Sequence, residues 1–177
     1  MQIGEGVSPP NSSSTAQERE LCELCKKDKH RFADSVGNHI GSGSVLSRKI
    51  VPSPKDHKWY SGGFSLQAHH LTCSEAKDDD QWAKVCSLFG YEIDRKENGV
   101  MLPGKMPLAC QLFAPLHRSG HEKGSGGGSL SYPAKAKQLV AKYKNKALSG
   151  GYCGNIGQLV KDLDVISSAL CYRNTRH

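Results

Sequence analysis

Hydrophobic positions recur with a helical period in the second half of the chain and with shorter, broken rhythms in the first. Trp82, Val85, Cys86 and Phe89 stand at i, i+3, i+4 and i+7, which predicts one apolar face of a helix over roughly residues 75–89. Ser74 can cap its start, Asp78, Asp79 and Asp80 sit in its first turns where the helix dipole favours them, and Gly90 can end it. An aromatic stripe at this spacing reads as core. A second helix is predicted from Pro133 to Leu148, stopped by Ser149-Gly150-Gly151, and a third over Ile156–Cys171 with Ile156, Leu159, Val160, Leu163 and Leu170 on or near one face. Residues 61–72, SGGFSLQAHHLT, read as a turn followed by a short strand. Tyr91–Asp94 and Val100–Pro103 can form short extended pieces around Asn98-Gly99, a pair that alone would be a hairpin turn. Residues 104–132, with Pro107, Pro115 and the glycine-rich run at 124–129, read as loop. No internal repeat is visible.

The first half is less regular. Residues 1–20 are rich in Ser, Pro, Gly, Asn and Gln, with too little apolar surface to fold, and are expected to be a linker or tail. Residues 21–60 are expected to form an extension packed on the core. They open on Leu21–Leu24, run through a charged stretch from Lys26 to Arg31, and look irregular over Val45–Trp59, which carries two prolines. Cys22-Glu-Leu-Cys25 has the spacing of half a zinc site, but no second pair is visible nearby, so ordinary packing on a helix face is the expectation. Seven cysteines, an odd number, argue against a full disulfide framework.

Charge narrows the partners. Lys and Arg total 24 against 17 acidic residues, a net +7, and the mean hydropathy is −0.54. That excess suits nucleic acid first and an anionic membrane surface second. The predicted Pro133–Leu148 helix adds to it: Lys135, Lys137, Lys142, Lys144 and Lys146 accompany no carboxylate. No run of 18 apolar residues could span a bilayer, and the first twenty residues lack the apolar core of a secretory signal. Synthesis in the cytoplasm, with no membrane partner, is expected.

Four of the eight histidines fall into two groups, His69-His70 and His117-Arg-Ser-Gly-His121. A helical turn over 117–121 would set His117 and His121 one turn apart on one face. A strand sends neighbouring side chains to opposite sides, so one of His69 and His70 could join them on a metal while the other serves as a base. An open fourth position would accept water or a phosphate oxygen. Arg118, between the two histidines, could hold a phosphate bidentately. His30, His39, His57 and His177 show no partners in sequence and are expected to be exposed.

The string Ala68-His69-His70-Leu71, then Asp94-Arg-Lys-Glu-Asn98-Gly-Val-Met-Leu-Pro103, then His117-Arg-Ser-Gly-His121 resembles the AHH nucleases of the HNH/endonuclease VII superfamily, over about residues 66–125. The resemblance implies an α+β fold with a small ββα-metal core surrounded by helices, in a nuclease domain covering residues 61–177. It implies His69, His117 and His121 as ligands of one divalent metal ion (Zn, Mg, Mn or Ni), His70 as the general base, and Asn98 as the holder of the active-site loop. Arg118 is expected at the phosphate. It further implies hydrolysis of DNA, or RNA, by a bacterial antagonistic toxin. Such a toxin would have a cognate immunity protein and reach the target-cell cytoplasm through a specialised secretion system, contact-dependent or of type VI. A zinc-stabilised nucleic-acid-binding module without catalysis is the alternative, and a cysteine hydrolase built on Cys73 or Cys110 is a second.

Overall fold

The computed structural model describes residues 21–27, 32–33, 35–60, 62, 65–72, 80–117 and 132–174. Their order is α1 (Gly43–Ile50), β1 (Leu66–His70), α2 (Asp80–Phe89), β2 (Gly99–Pro103), α3 (Met106–Leu112), α4 (Tyr132–Leu148) and α5 (Ile156–Asn174), with short 3-10 turns at Pro54–Asp56 and Lys96–Asn98. The architecture is α+β. β1 and β2 pair antiparallel with Leu66 opposite Pro103, His69 opposite Val100 and His70 opposite Gly99.

A lone two-stranded sheet is marginal in water, and this one leans on helices. α1 starts at Ser42, whose hydroxyl accepts from Val45 N–H, and it buries Leu46 completely against the strands. The approach is close: a Cβ on Gly99 would come within 2.6 Å of Leu46 Cδ1 and 2.7 Å of Ile50 Cδ1, side-chain ends that would have to shift. Met101 and Leu102 of β2 and Leu108 and Ala109 of α3 complete the buried apolar surface near the sheet.

The larger core lies among α2, α4 and α5. Trp82, Val85, Cys86 and Phe89 of α2 meet Ala136, Val140 and Ala147 of α4 and Leu159, Leu163, Ile166 and Leu170 of α5. Tyr91 and Tyr152 fill the remaining space, with ring centroids 5.8 Å from Trp82 and 6.3 Å from Phe89 respectively. All four residues of the predicted α2 stripe are therefore core. Gly90, at φ 66°, ends that helix. Ser74, Asp78 and Asp79 lie outside the described residues. The lysine-rich helix starts at Tyr132, one residue before the expected Pro133, and ends at Leu148 as expected, and α5 continues beyond Cys171 to Asn174.

Five readings are corrected. Val45–Trp59 is not irregular throughout, because α1 occupies its first part; only Leu46 of that helix is fully buried, so it leaves almost no periodic signal. The region after residue 104 contains α3, in which Pro107 is tolerated in the first turn. Tyr91–Asp94 forms no strand. Gly99 has φ −129° and ψ 151°, ordinary extended backbone rather than the positive φ a type I′ hairpin needs, so the second strand pairs with β1 instead. His57 is half-buried rather than exposed: its Nδ1 accepts from Trp59 N–H at 3.2 Å, and the two rings lie edge to face. Among the described residues, no helix is long and apolar enough to cross a membrane.

Candidate active site

β1 ends in two adjacent histidines, and the pleat sends them apart. His69 is 6 % exposed and faces the ring of His117, 5.4 Å away between centroids at 74°, and the ring of Tyr132, 5.0 Å away. Gln67, two residues back on the same side, places its carbonyl Oε1 2.7 Å from His117 Nδ1. A carbonyl oxygen only accepts, so Nδ1 carries the proton and Nε2 is the unprotonated nitrogen of the neutral ring. His117 follows α3 in extended chain, and its backbone N–H donates to the Pro103 carbonyl at the end of β2. That tie brings His117 back to the sheet. Arg118 and His121 lie outside the described residues.

His70 points the other way. Its Nε2 lies 2.7 Å from Oδ1 of Asp94, a carboxylate only 3 % exposed that also accepts from the Ser42 N–H at 2.8 Å. The carboxylate accepts, so Nε2 is the donor and Nδ1 is left to take a proton. This is the orienting geometry expected of a base whose ring is fixed by a third group. Asp94 was within the quoted sequence string but carried no assigned role; a lone Asp at the edge of a predicted extended piece gives no sign that it is buried against a histidine 24 residues earlier.

Asn98 is completely buried, and its whole amide is used. Oδ1 accepts from Thr72 N–H (2.7 Å), Thr72 Oγ1 (2.6 Å) and Ser167 Oγ (2.9 Å). Nδ2 spends its two hydrogens on the carbonyls of Thr72 (3.0 Å) and Ile93 (2.8 Å). Its backbone carbonyl accepts from Leu71 N–H at 2.9 Å. Asn98 thus fastens the two residues after His70, the residue before Asp94, and α5 into one polar knot. Thr72 Oγ1 also lies 3.1 Å from the hydroxyl of Tyr91, whose ionisation burial pushes up, keeping it a neutral phenol. Tyr132 OH donates to the Leu71 carbonyl at 2.5 Å, which ties α4 to the same turn.

The arrangement offers two imidazoles on one side of a strand and a carboxylate-oriented imidazole on the other, with a shared buried support. Residues 55–125 match the AHH nuclease family. Its model describes a nuclease family of the HNH/ENDO VII superfamily with a conserved AHH triplet, here Ala68-His69-His70. The AHH segment holds β1, β2, α2, α3, Asp94, Asn98 and His117. Tyr132 and Ser167, which complete the support, come from helices beyond it. No curated protein and no solved structure gives a match.

A divalent metal fits the donors present on the His69 side of the AHH segment. Both are imidazoles, and Gln67 already holds the far nitrogen of His117, the outer support that metal-bound histidines usually have. Among the described residues this side offers two imidazoles, and the expected third donor, His121, lies outside them.

Proposed function

We propose that the protein is a metal-dependent nuclease that hydrolyses phosphodiester bonds, with DNA favoured over RNA. The observation that carries the reading is the division of labour at the end of β1: His69 turns to His117, and His70 turns to the buried carboxylate of Asp94. His69, His117 and His121 would hold one divalent ion, and when bound it would supply Lewis-acid stabilisation of the scissile phosphate. His70 Nδ1 takes the proton from the attacking water, and Asp94 holds the ring and stabilises the resulting imidazolium. Asn98 touches neither reactant; it is a positioning residue that fixes the chain on either side of His70 and Asp94. Arg118 is assigned to the phosphate. The net charge of +7 favours a polyanionic substrate.

The resemblance to toxin nucleases supports a role as a bacterial antagonistic effector, neutralised by an immunity protein and delivered into the target-cell cytoplasm. The test of the activity is plasmid DNA and RNA incubated with the purified chain in Mg²⁺, Mn²⁺, Ni²⁺ or Zn²⁺. Cleavage that a chelator abolishes and a metal restores is expected. Binding of DNA without cleavage under every metal would instead fit the non-catalytic module.

A further inference from the structure

Far along the sequence from the histidines, three thiols converge. Residues 21–27 do not form a helix, which corrects the expected helix-face packing of Cys22 and Cys25. They close a tight turn in which Cys22 N–H donates to the Lys27 carbonyl at 2.7 Å and Lys26 N–H to the Cys22 carbonyl at 3.0 Å, with Lys26 left-handed at φ 58°. Cys153 reaches this turn from the α4–α5 connection, 131 residues later, and the three sulfurs lie within 4.8 Å of one another. Cys153 has no neighbour in sequence that marks it as the missing partner, which is why spacing alone failed to reveal the group.

The approach depends on a glycine. Gly150 has φ 78°, and a Cβ there would come within 2.6 Å of Cys25 Cβ and 2.8 Å of Cys25 Cα. The separation of the sulfurs argues against a disulfide and is one that a shared metal ion would accept. Cys22 and Cys153 are 3.9 Å apart. A disulfide requires about 2.05 Å. Two thiolates on a tetrahedral zinc with Zn–S of about 2.3 Å would be about 3.8 Å apart. Cys22 is only 3 % exposed, so its sulfur is shielded from solvent.

We propose that Cys22, Cys25 and Cys153 form a structural zinc site that fastens the N-terminal turn to the α4–α5 connection. Thiolate donors select zinc over the harder divalent ions. Each ligating thiol gives up its proton on binding. The fourth tetrahedral position is filled by a water or by a nitrogen or oxygen donor. The site is separate from the histidines, so it stands whether or not the protein cleaves nucleic acid.

The test uses the full chain purified under reducing conditions and titrated with Co²⁺ and then Zn²⁺. A thiolate-to-cobalt charge-transfer band that zinc displaces is expected. Cys153→Ala should lose one thiolate's share of that band and bind zinc at least about tenfold more weakly. Cys110→Ala, on the exposed surface of α3, and His69→Ala should both keep the band. Should Cys153→Ala fail to fold, the wild-type chain gives a second reading: a chelator should lower its melting temperature and zinc should restore it. A folded wild-type chain without the band would overturn the proposal. So would a band unchanged in folded Cys153→Ala, a melting temperature indifferent to the chelator, or a Cys22–Cys153 disulfide in the freshly purified protein.

Discussion

The helical body and the sheet layer are built on opposite principles. α2, α4 and α5 enclose a continuous apolar core of aromatic and branched side chains. Among the described residues the sheet has two strands of five residues each, and its inner positions include histidines as well as apolar groups. The proposed chemistry sits on the weaker layer. Among the links between them is the Asn98 knot, a set of hydrogen bonds reaching from the turn after β1 to Ser167 on α5, beside the Tyr132 tie to Leu71 and the Arg95–Asp164 ion pair. The difference teaches that the apolar packing and the proposed chemistry occupy different layers, with a buried polar junction between them. It also explains why the matched segment is not the whole machine, since Tyr132 and Ser167 brace the His-His turn from beyond residue 125.

The sharpest way to break that separation is at His70. His70→Ala should lower DNA cleavage by roughly 10²–10⁴-fold, the usual worth of a positioned general base, and leave metal binding and melting temperature close to wild type. His69→Ala should lose metal as well as activity. Calorimetric titration with metal, alongside plasmid nicking, distinguishes them; reversed outcomes would exchange the two roles. The next effect is expected at the junction. Asn98→Ala strands Thr72, Ser167 and the Ile93 carbonyl in a buried site, and a loss of about 3 kcal/mol is expected by urea denaturation. A loss below about 1 kcal/mol would mean the knot is not what joins the layers. Asp94→Asn keeps the shape of the His70 partner and removes its charge. Activity should fall roughly 10–100-fold, as for other residues that orient a reactive histidine, with the metal affinity unchanged. A matching loss of metal would place Asp94 on the ligand side instead.

The smallest effect is expected on the outer surface of the helical body. Lys135 and Lys142 are exposed two turns apart on α4, and we expect this face to meet the phosphate backbone. Replacing both with Glu should weaken DNA binding for every sequence and flatten its salt dependence by roughly one unit of slope per lost contact. An unchanged slope would assign substrate binding to another face.

What could be read from the sequence follows the same division. The helical body was legible because its residues repeat: Trp82, Val85, Cys86 and Phe89 announce α2, and the Gly-Gly stop and the apolar spacing of Leu159, Leu163 and Leu170 announce α4 and α5. The two strands of the sheet were legible as short extended pieces in 61–72 and at Val100–Pro103, but not their pairing, since β2 was set beside Tyr91–Asp94 instead of β1. α1 stayed hidden because a single buried leucine has no period, and α3 because Pro107 reads as a breaker until its place in the first turn is known. Asp94 and Cys153 were invisible for a different reason. Their partners, His70 and Cys22, are distant in sequence, and only the folded chain brings them together.

The pairing of His70 with Gly99 has one more consequence. In a strand the side-chain period is two, so a slip of one residue sends every side chain to the opposite face. Such a slip would hand His69 to Asp94 and His70 to His117 without changing the amino-acid composition of the site. A Cβ on Gly99 would push against Leu46 Cδ1 and Ile50 Cδ1, so the residue opposite His70 is one that lets α1 lie close over the sheet. Which histidine could act as acid–base and which as ligand is thus encoded less by the two identical side chains than by the register of the strand that carries them.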